Sequence, residues 1–337
     1  MNNSLRRALL CGAATAALVS ASSAAFASGG KETNWATVDN HGFLGIDLTV
    51  EGGYAFGSGK LPYAQFDNYD DGDSGYTFRT DPGDGWNGSV GIAGRFEGGW
   101  KLNLSYTGLR SSQDADTGVY NESNTTPSID WPIDNILGPS STSYNQITVE
   151  THIKADTFDL TIGHDVGLGS GNLTLIGGLR YGVYQQNTST VIYCAKASCD
   201  PREVESTENR ESRYRGIGPQ FGANYAMPIG DAGFGIFGSA LGSVLYGKQK
   251  TTSTGAWGDS TTYSDNHVAY TADAKAGISY KLPNHPLEIA AGYSVSWLGR
   301  VRDTQNESSY TGDLNVGNRH DNLLYHGPFV KLTVSLP

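Results

Sequence analysis

From residue 43 onward the chain alternates polar and apolar residues over stretches too long for an ordinary soluble sheet, and this limits the fold more than any other feature. Leu44, Ile46, Leu48 and Val50 interleave with Asp47, Thr49 and Glu51. Trp100, Leu102, Leu104 and Tyr106 interleave with Lys101, Asn103, Ser105 and Thr107. Val268, Tyr270, Ala272, Ala274, Ala276, Ile278 and Tyr280 do so with Thr271, Asp273, Lys275 and Ser279. Successive side chains of a strand point to opposite faces, so each stretch has one apolar and one polar face. Soluble strands average ~5–6 residues, whereas these run to roughly 10–16. Tyr54, Trp100, Tyr280 and Trp297 lie on the apolar face near strand ends, as the aromatic girdle of a bilayer-spanning barrel does. A spanning helix needs ~20 apolar residues. The best candidate, 232–247, has five glycines in 16 uncharged residues and suits a strand better.

The pattern therefore predicts an all-β protein: a transmembrane antiparallel up-and-down β-barrel with long outer loops and short periplasmic turns. Strands are expected near 43–56, 86–97, 100–110, 145–166, 173–186, 213–227, 233–247, 267–282, 286–299 and 321–336, ten in all. Very short connections alternate with very long ones, and an even count puts both barrel ends on the periplasmic side. One segment is irregular. Its apolar phase changes from odd (Ile147, Val149, Ile153) to even (Phe158, Leu160, Ile162). A single strand with a β-bulge accounts for the change, because a bulge inserts one residue.

Residues 1–27 read as a cleaved signal peptide: Arg6 and Arg7, an uncharged small-to-apolar run, then Ala25-Phe26-Ala27. Residues 28–42 form a short periplasmic segment, and 43–337 the barrel. Cleavage removes Cys11 and two arginines, making the net charge of −11 more negative by two. An acidic chain is a poor nucleic-acid binder, so no nucleic-acid partner is expected. Cys194 and Cys199 remain, and an oxidising compartment favours a short-loop disulfide between them. Zinc is disfavoured, since no His or further Cys lies nearby.

Several stretches resemble a known family. They are "RYRGIGPQFGANYAMPIGDAGFGIFGSALGSVLYG" (213–247), "DAKAGISYKL" (273–282), "LEIAAGYSVSWL" (287–298) and "YHGPFVKLTVSL" (325–336). "FDLTIG" (158–163) and "GGLRYGVY" (177–184) add to them. All are similar to the pore-forming outer membrane proteins typified by the Legionella major outer membrane protein. The resemblance implies a channel-forming barrel without a cofactor in the outer membrane of a Gram-negative bacterium. The chain departs in ending Leu336-Pro337, where such barrels usually end in an aromatic residue read by the barrel assembly machinery.

The alternation places Asp47, Glu51, Arg95, Lys101, Glu150, His152, Lys154, Arg180, Asp273, Lys275, Glu288 and Lys331 in the lumen. Opposed charges there would set the field of a pore. They could equally fill a narrow barrel and pair with each other, as eight-stranded barrels are filled. Arg213 and Arg215 share the outward phase of Ile217, Phe221 and Tyr225, so they are expected to meet lipopolysaccharide phosphates. Glu203, Glu205, Glu208 and Glu211 nearby could instead neutralise them. Asp67, Asp70, Asp71, Asp73, Asp81 and Asp84 form an acidic first loop. Tyr69 occupies the second ligand position of an EF-hand spacing there, so a solvated loop is preferred over a calcium site.

The functional expectation is a porin-like passive channel for ions or small polar solutes, not an enzyme, with no cofactor or metal. Its expected partners are outer-membrane lipid, lipopolysaccharide, the assembly machinery and small solutes. A structural or adhesive surface barrel with a plugged lumen is the alternative. An omptin-like surface protease is a weaker one, with Asp265–His267 and His320–Asp321 as its only candidate pairs and no omptin catalytic motif.

Overall fold

The computed structural model describes residues 42–58, 61–68, 76–80, 82–116, 125–128, 146–193, 204–254, 260–305 and 318–337. Thirteen strands occur among them: β1 (Phe43–Ser58), β2 (Leu61–Asn68), β3 (Tyr76–Thr80), β4 (Asp84–Phe96), β5 (Trp100–Asp116), β6 (Thr125–Ser128), β7 (Gln146–Leu168), β8 (Gly171–Tyr193), β9 (Val204–Ile229), β10 (Phe234–Thr254), β11 (Ser260–Lys281), β12 (Leu287–Gln305) and β13 (Asn318–Leu336). Ten of them close into an antiparallel barrel in the order β1-β13-β12-β11-β10-β9-β8-β7-β5-β4. The remaining three, β2, β3 and β6, form a small separate sheet from the first two long connections, which the sequence pattern does not foretell. The signal peptide, most of the 28–42 segment, and Cys194 and Cys199 lie outside the described residues.

Closure joins the first strand to the last, from Ile46↔Leu336 to Ser58↔Leu324. Lipid offers no hydrogen bonds to a free edge, so only a closed sheet satisfies every spanning backbone group. The turns at one end are tight. Between β4 and β5 a single 3-10 turn, Glu97–Gly99, needs φ of 74° and 79° at Gly98 and Gly99, which glycine adopts without a Cβ clash.

Outward side chains form the lipid face: Leu104, Ile162, Leu179, Ile217 and Phe221 are 51–65% exposed. Their neighbours on the same strands, Ser105, Thr161, Arg180 and Gln220, turn inward and are partly or fully buried. This is the inside-out polarity that the alternation predicts.

β7 corrects one expectation. It pairs with β5 from Asp116↔Thr148 to Trp100↔His164 without a break, and with β8 from Gln146↔Tyr193 to Leu168↔Gly171. No bulge is present in it. Odd residues stay inward along its length: Val149, Thr151, Ile153, Ala155, Asp159 and Thr161 are buried, whereas Phe158, Leu160 and Ile162 are exposed. What changes along the strand is the surroundings. Near the periplasm the outer face meets lipid and the inner face is polar. Beyond the bilayer the outer face meets water and the inner face packs an apolar layer. The polarity inverts and imitates a slip of phase. Glu150, His152 and Lys154 therefore face outward, not into the lumen, with Glu150 and His152 paired at 2.9 Å. Register shifts do occur elsewhere, between Leu298 and Arg302 on β12 and at Ile192/Tyr193 on β8.

Cysteine labelling tests this phase. In refolded protein, a membrane-impermeant maleimide should modify His152→Cys and Lys154→Cys and spare Ile153→Cys. The opposite pattern would restore the bulge.

Candidate functional site in the barrel lumen

The inner face carries two layers. Toward the periplasm it is ionic. Asp47 and Arg95 pair across β1 and β4 at 3.3 Å, and Arg95 also donates to the Leu336 carbonyl at 3.0 Å. Lys101 and Asp165 pair across β5 and β7 at 2.9 Å, and Asp165 accepts from Thr174. Lys331 lies 4.8 Å from the Phe237 ring centre and within electrostatic range of Glu288, Glu51 and Lys275.

Further up, a chain of charges crosses the lumen. Arg180 on β8 grips Asp159 on β7 with a two-pronged fork, Nε to Oδ1 at 2.7 Å and a terminal nitrogen to Oδ2 at 2.9 Å. Its other terminal nitrogen reaches β11, three strands round the barrel, to Asp273 at 2.6 Å and Thr271 at 2.8 Å. Two residues along β11, Lys275 donates to Glu51 on β1, again three strands away. Arg180 is only 5% exposed. A guanidinium so buried is tolerable only because paired acceptors replace its water.

Above this lies an apolar layer. Ala55, Leu109, Ile153, Ala155, Tyr184, Tyr214, Leu245, Ala269, Leu298, Val301, Leu323 and Tyr325 form one cluster, none more than 7% exposed. Every barrel strand except β4 contributes. Tyr214 donates to the Leu245 carbonyl at 2.9 Å, and Tyr325 and Ser111 share a bond of 2.9 Å across the lumen. Tyr214 lies over Gly216, where a Cβ would stand 2.5 Å from the tyrosine oxygen. A residual void of about 10 Å³ beside Ile153, Tyr184 and Leu323 is at the lower limit for one water.

Asp47, Glu51, Arg95, Lys101, Arg180, Asp273, Lys275, Glu288 and Lys331 thus lie on inward phases, and Glu150 does not. The sequence reading omitted Asp159 and Asp165, although both alternate with Phe158, Leu160 and Ile162 and so carried the signal. Tyr184, Tyr214 and Tyr325 gave none, since an inward tyrosine high in the barrel looks like a girdle residue. Arg213 and Arg215 lie on the outward face of β9, the phase that the alternation gave them. His267 sits within the apolar layer, its ring 4.9 Å from Tyr214 and its Nε2 2.8 Å from the Arg300 carbonyl. Asp265 accepts the backbone N–H of Asn266. The side chains of His320 and Asp321, and of the acidic loop residues Asp67 to Asp81, lie outside the described residues. Among the described residues no three His, Cys, Asp or Glu converge on a metal position.

Breaking the ionic chain tests its geometry. Arg180→Ala leaves Asp159 and Asp273 without their cation and should lower stability by ~3–5 kcal/mol in urea unfolding from lipid vesicles. Replacing all three with apolar side chains should recover most of that loss. No loss in Arg180→Ala would show that the crossing contact is absent.

Comparison with solved structures finds outer-membrane barrels. The outer membrane protease OmpT of Escherichia coli aligns with 12% identity over 87% of this chain and 98% of that one, at a TM-score of 0.44. A major outer membrane protein of Thermus thermophilus aligns with 10% identity over 86% and 99%, at 0.34. The translocator domain of the autotransporter NalP of Neisseria meningitidis aligns with 15% identity over 88% and 90%, at 0.36. No curated protein sequence matches the chain. The family model described as Legionella pneumophila major outer membrane protein precursor matches residues 14–336, nearly the whole sequence, and the chain belongs to that family of outer-membrane β-barrels.

Proposed function

We propose that the protein is a passive channel for ions and small polar solutes, shut in the conformation described here. The observation that carries this reading is the water-accessible charge on the inner face near the periplasm. Arg95, Lys101 and Lys275 point inward yet keep 30–34% of their side-chain surface accessible. A lumen packed solid by its side chains would leave these cations little accessible surface. Opposed charges lining a passage set its selectivity, and an apolar constriction closes it by excluding water. Tyr214 and Tyr325 would be the gate, and the Asp159–Arg180–Asp273 chain the filter beneath it. The reading requires no cofactor and makes the protein a conduit, not an enzyme.

The apolar layer favours a second reading, a structural or adhesive barrel that holds its loops at the cell surface and never conducts. Planar-bilayer recording separates the two. On the channel reading, the wild type gives small discrete steps, and Tyr214→Ala with Tyr325→Ala enlarges them. Arg180→Ala shifts the reversal potential in a salt gradient toward cations. Silence of both wild type and the tyrosine variant at all voltages, in protein that retains its heat-modifiable gel mobility, would favour the structural barrel.

A further inference from the structure

Outside the lumen, the outward face of β5, β7, β8, β9 and β10 changes character within two steps. Tyr106, Phe158, Tyr181, Ile217 and Tyr246 are cross-strand neighbours in one continuous row. The first two rings stand 5.0 Å apart and the next pair 6.4 Å. Two residues further from the periplasm the outward row reads Gly108, Asp156, Val183, Arg215 and Lys248. The row after it reads Arg110, Lys154, Gln185, Arg213 and Lys250. These two rows hold six cations and one carboxylate in a chain whose net charge is −11. That carboxylate is committed: Asp156 binds Arg110 at 2.6 Å and accepts from Tyr106 at 2.7 Å. In the next two rows the carboxylates are Glu211, which accepts from Gln185 at 3.0 Å, Glu150, which pairs with His152 at 2.9 Å, and the exposed Asp114 opposite Glu150. Among the described residues no carboxylate lies within salt-bridge distance of Lys154, Arg213, Arg215, Lys248 or Lys250.

The arrangement is unfavourable as it stands. Arg215 lies directly opposite Lys248, and Arg213 directly opposite Lys250. Like charges directly opposite each other destabilise a sheet. Two such pairs on one face would be relieved by a bound anion. The height of the patch identifies it. From Phe234 to Tyr246 the outward residues of β10 include no charged side chain. At ~3.3 Å per residue and ~40° of tilt those twelve steps rise about 30 Å, close to the ~25 Å apolar band of an outer-membrane barrel. The basic rows begin on the next step, at the level where acyl chains end and headgroups begin.

We infer that this patch binds the phosphates of lipid A in the outer leaflet, through Lys154, Arg213, Arg215, Lys248 and Lys250. Arginine forks and lysine ammonium groups suit phosphate oxygens, and the lipid's acyl chains would lie over Tyr246, Ile217 and the 65% exposed Phe221. The site would fix the barrel's depth and hold a lipopolysaccharide molecule against one side of it. The inference rests on the outer-membrane fold and is independent of conduction.

Heat unfolding of the refolded full-length chain in detergent tests it, with bisphosphorylated lipid A as the probe. Lipid A should raise the wild-type midpoint by on the order of 5 °C. Dephosphorylated lipid A and inorganic phosphate at the same concentration should not. The joint variant Lys154→Gln, Arg213→Gln, Arg215→Gln, Lys248→Gln, Lys250→Gln should lose most of the shift, and Lys281→Gln at the periplasmic end should keep it. Should the five-site variant fail to refold, Lys248→Gln with Lys250→Gln, both exposed, should weaken lipid A binding by on the order of tenfold. An equal shift with dephosphorylated lipid or inorganic phosphate would overturn the assignment. So would an undiminished shift in the five-site variant, or unchanged affinity in the exposed pair.

Discussion

The pairing of β1 with β13 is the constraint on which everything else rests. Without it the sheet would present two unpaired edges to hydrocarbon, where each unsatisfied backbone group costs several kcal/mol. With it, strand register is locked around a ring, because a slip of one residue would turn every side chain of a strand to the wrong solvent. The lipid face, the ionic layer, the apolar layer and the basic rows are all consequences of that single register. The uninterrupted pairing of β7 with both neighbours shows how strictly it holds, even where the polarity of the residues reverses.

Within the ring, the ionic chain solves a packing problem. Ten strands enclose more space than eight, whose interior side chains just fill. Long side chains that reach across, Arg180 to β11 and Lys275 to β1, occupy the extra width and tie together strands that share no backbone bond. Their cost in lost hydration is offset only where acceptors surround the cation, as Asp159, Thr271 and Asp273 surround Arg180. Toward the cell exterior, bulky tyrosines and leucines do the same work by packing, with the Tyr214 and Tyr325 hydroxyls hydrogen-bonded within the layer.

Most of this was legible in the sequence, for a simple reason. Alternation of period two reports which residues share a face, and tight glycine turns against long polar connections report which end is which. Ten strands, the inward phase of Arg180 and Asp273, and the outward phase of Arg213 and Arg215 all follow. Alternation does not report what each face touches. Val149 and Ile153 looked lipid-facing because they are apolar, and Glu150 looked luminal because it is charged. Both inferences assumed that the bilayer extends along the whole strand. Partners three strands apart, such as Arg180 and Asp273, depend on closure and shear and leave no local trace. Nor do the short strands β2, β3 and β6, which are four to eight residues long and carry no clear alternation.

The strands that outrun the bilayer have a consequence of their own. β9 has 26 residues and β7 and β8 have 23 each. At ~3.3 Å per residue and ~40° of tilt, β9 rises about 65 Å, some 40 Å more than the apolar band. Its upper half continues as a stalk, paired with β10 as far as Asn209 and with β8 as far as Val204. Surface loops attached at the membrane would be submerged among the sugars of the outer leaflet. A stalk of this length lifts the outer ends of the strands, from which the long connections start, about 40 Å beyond the apolar band.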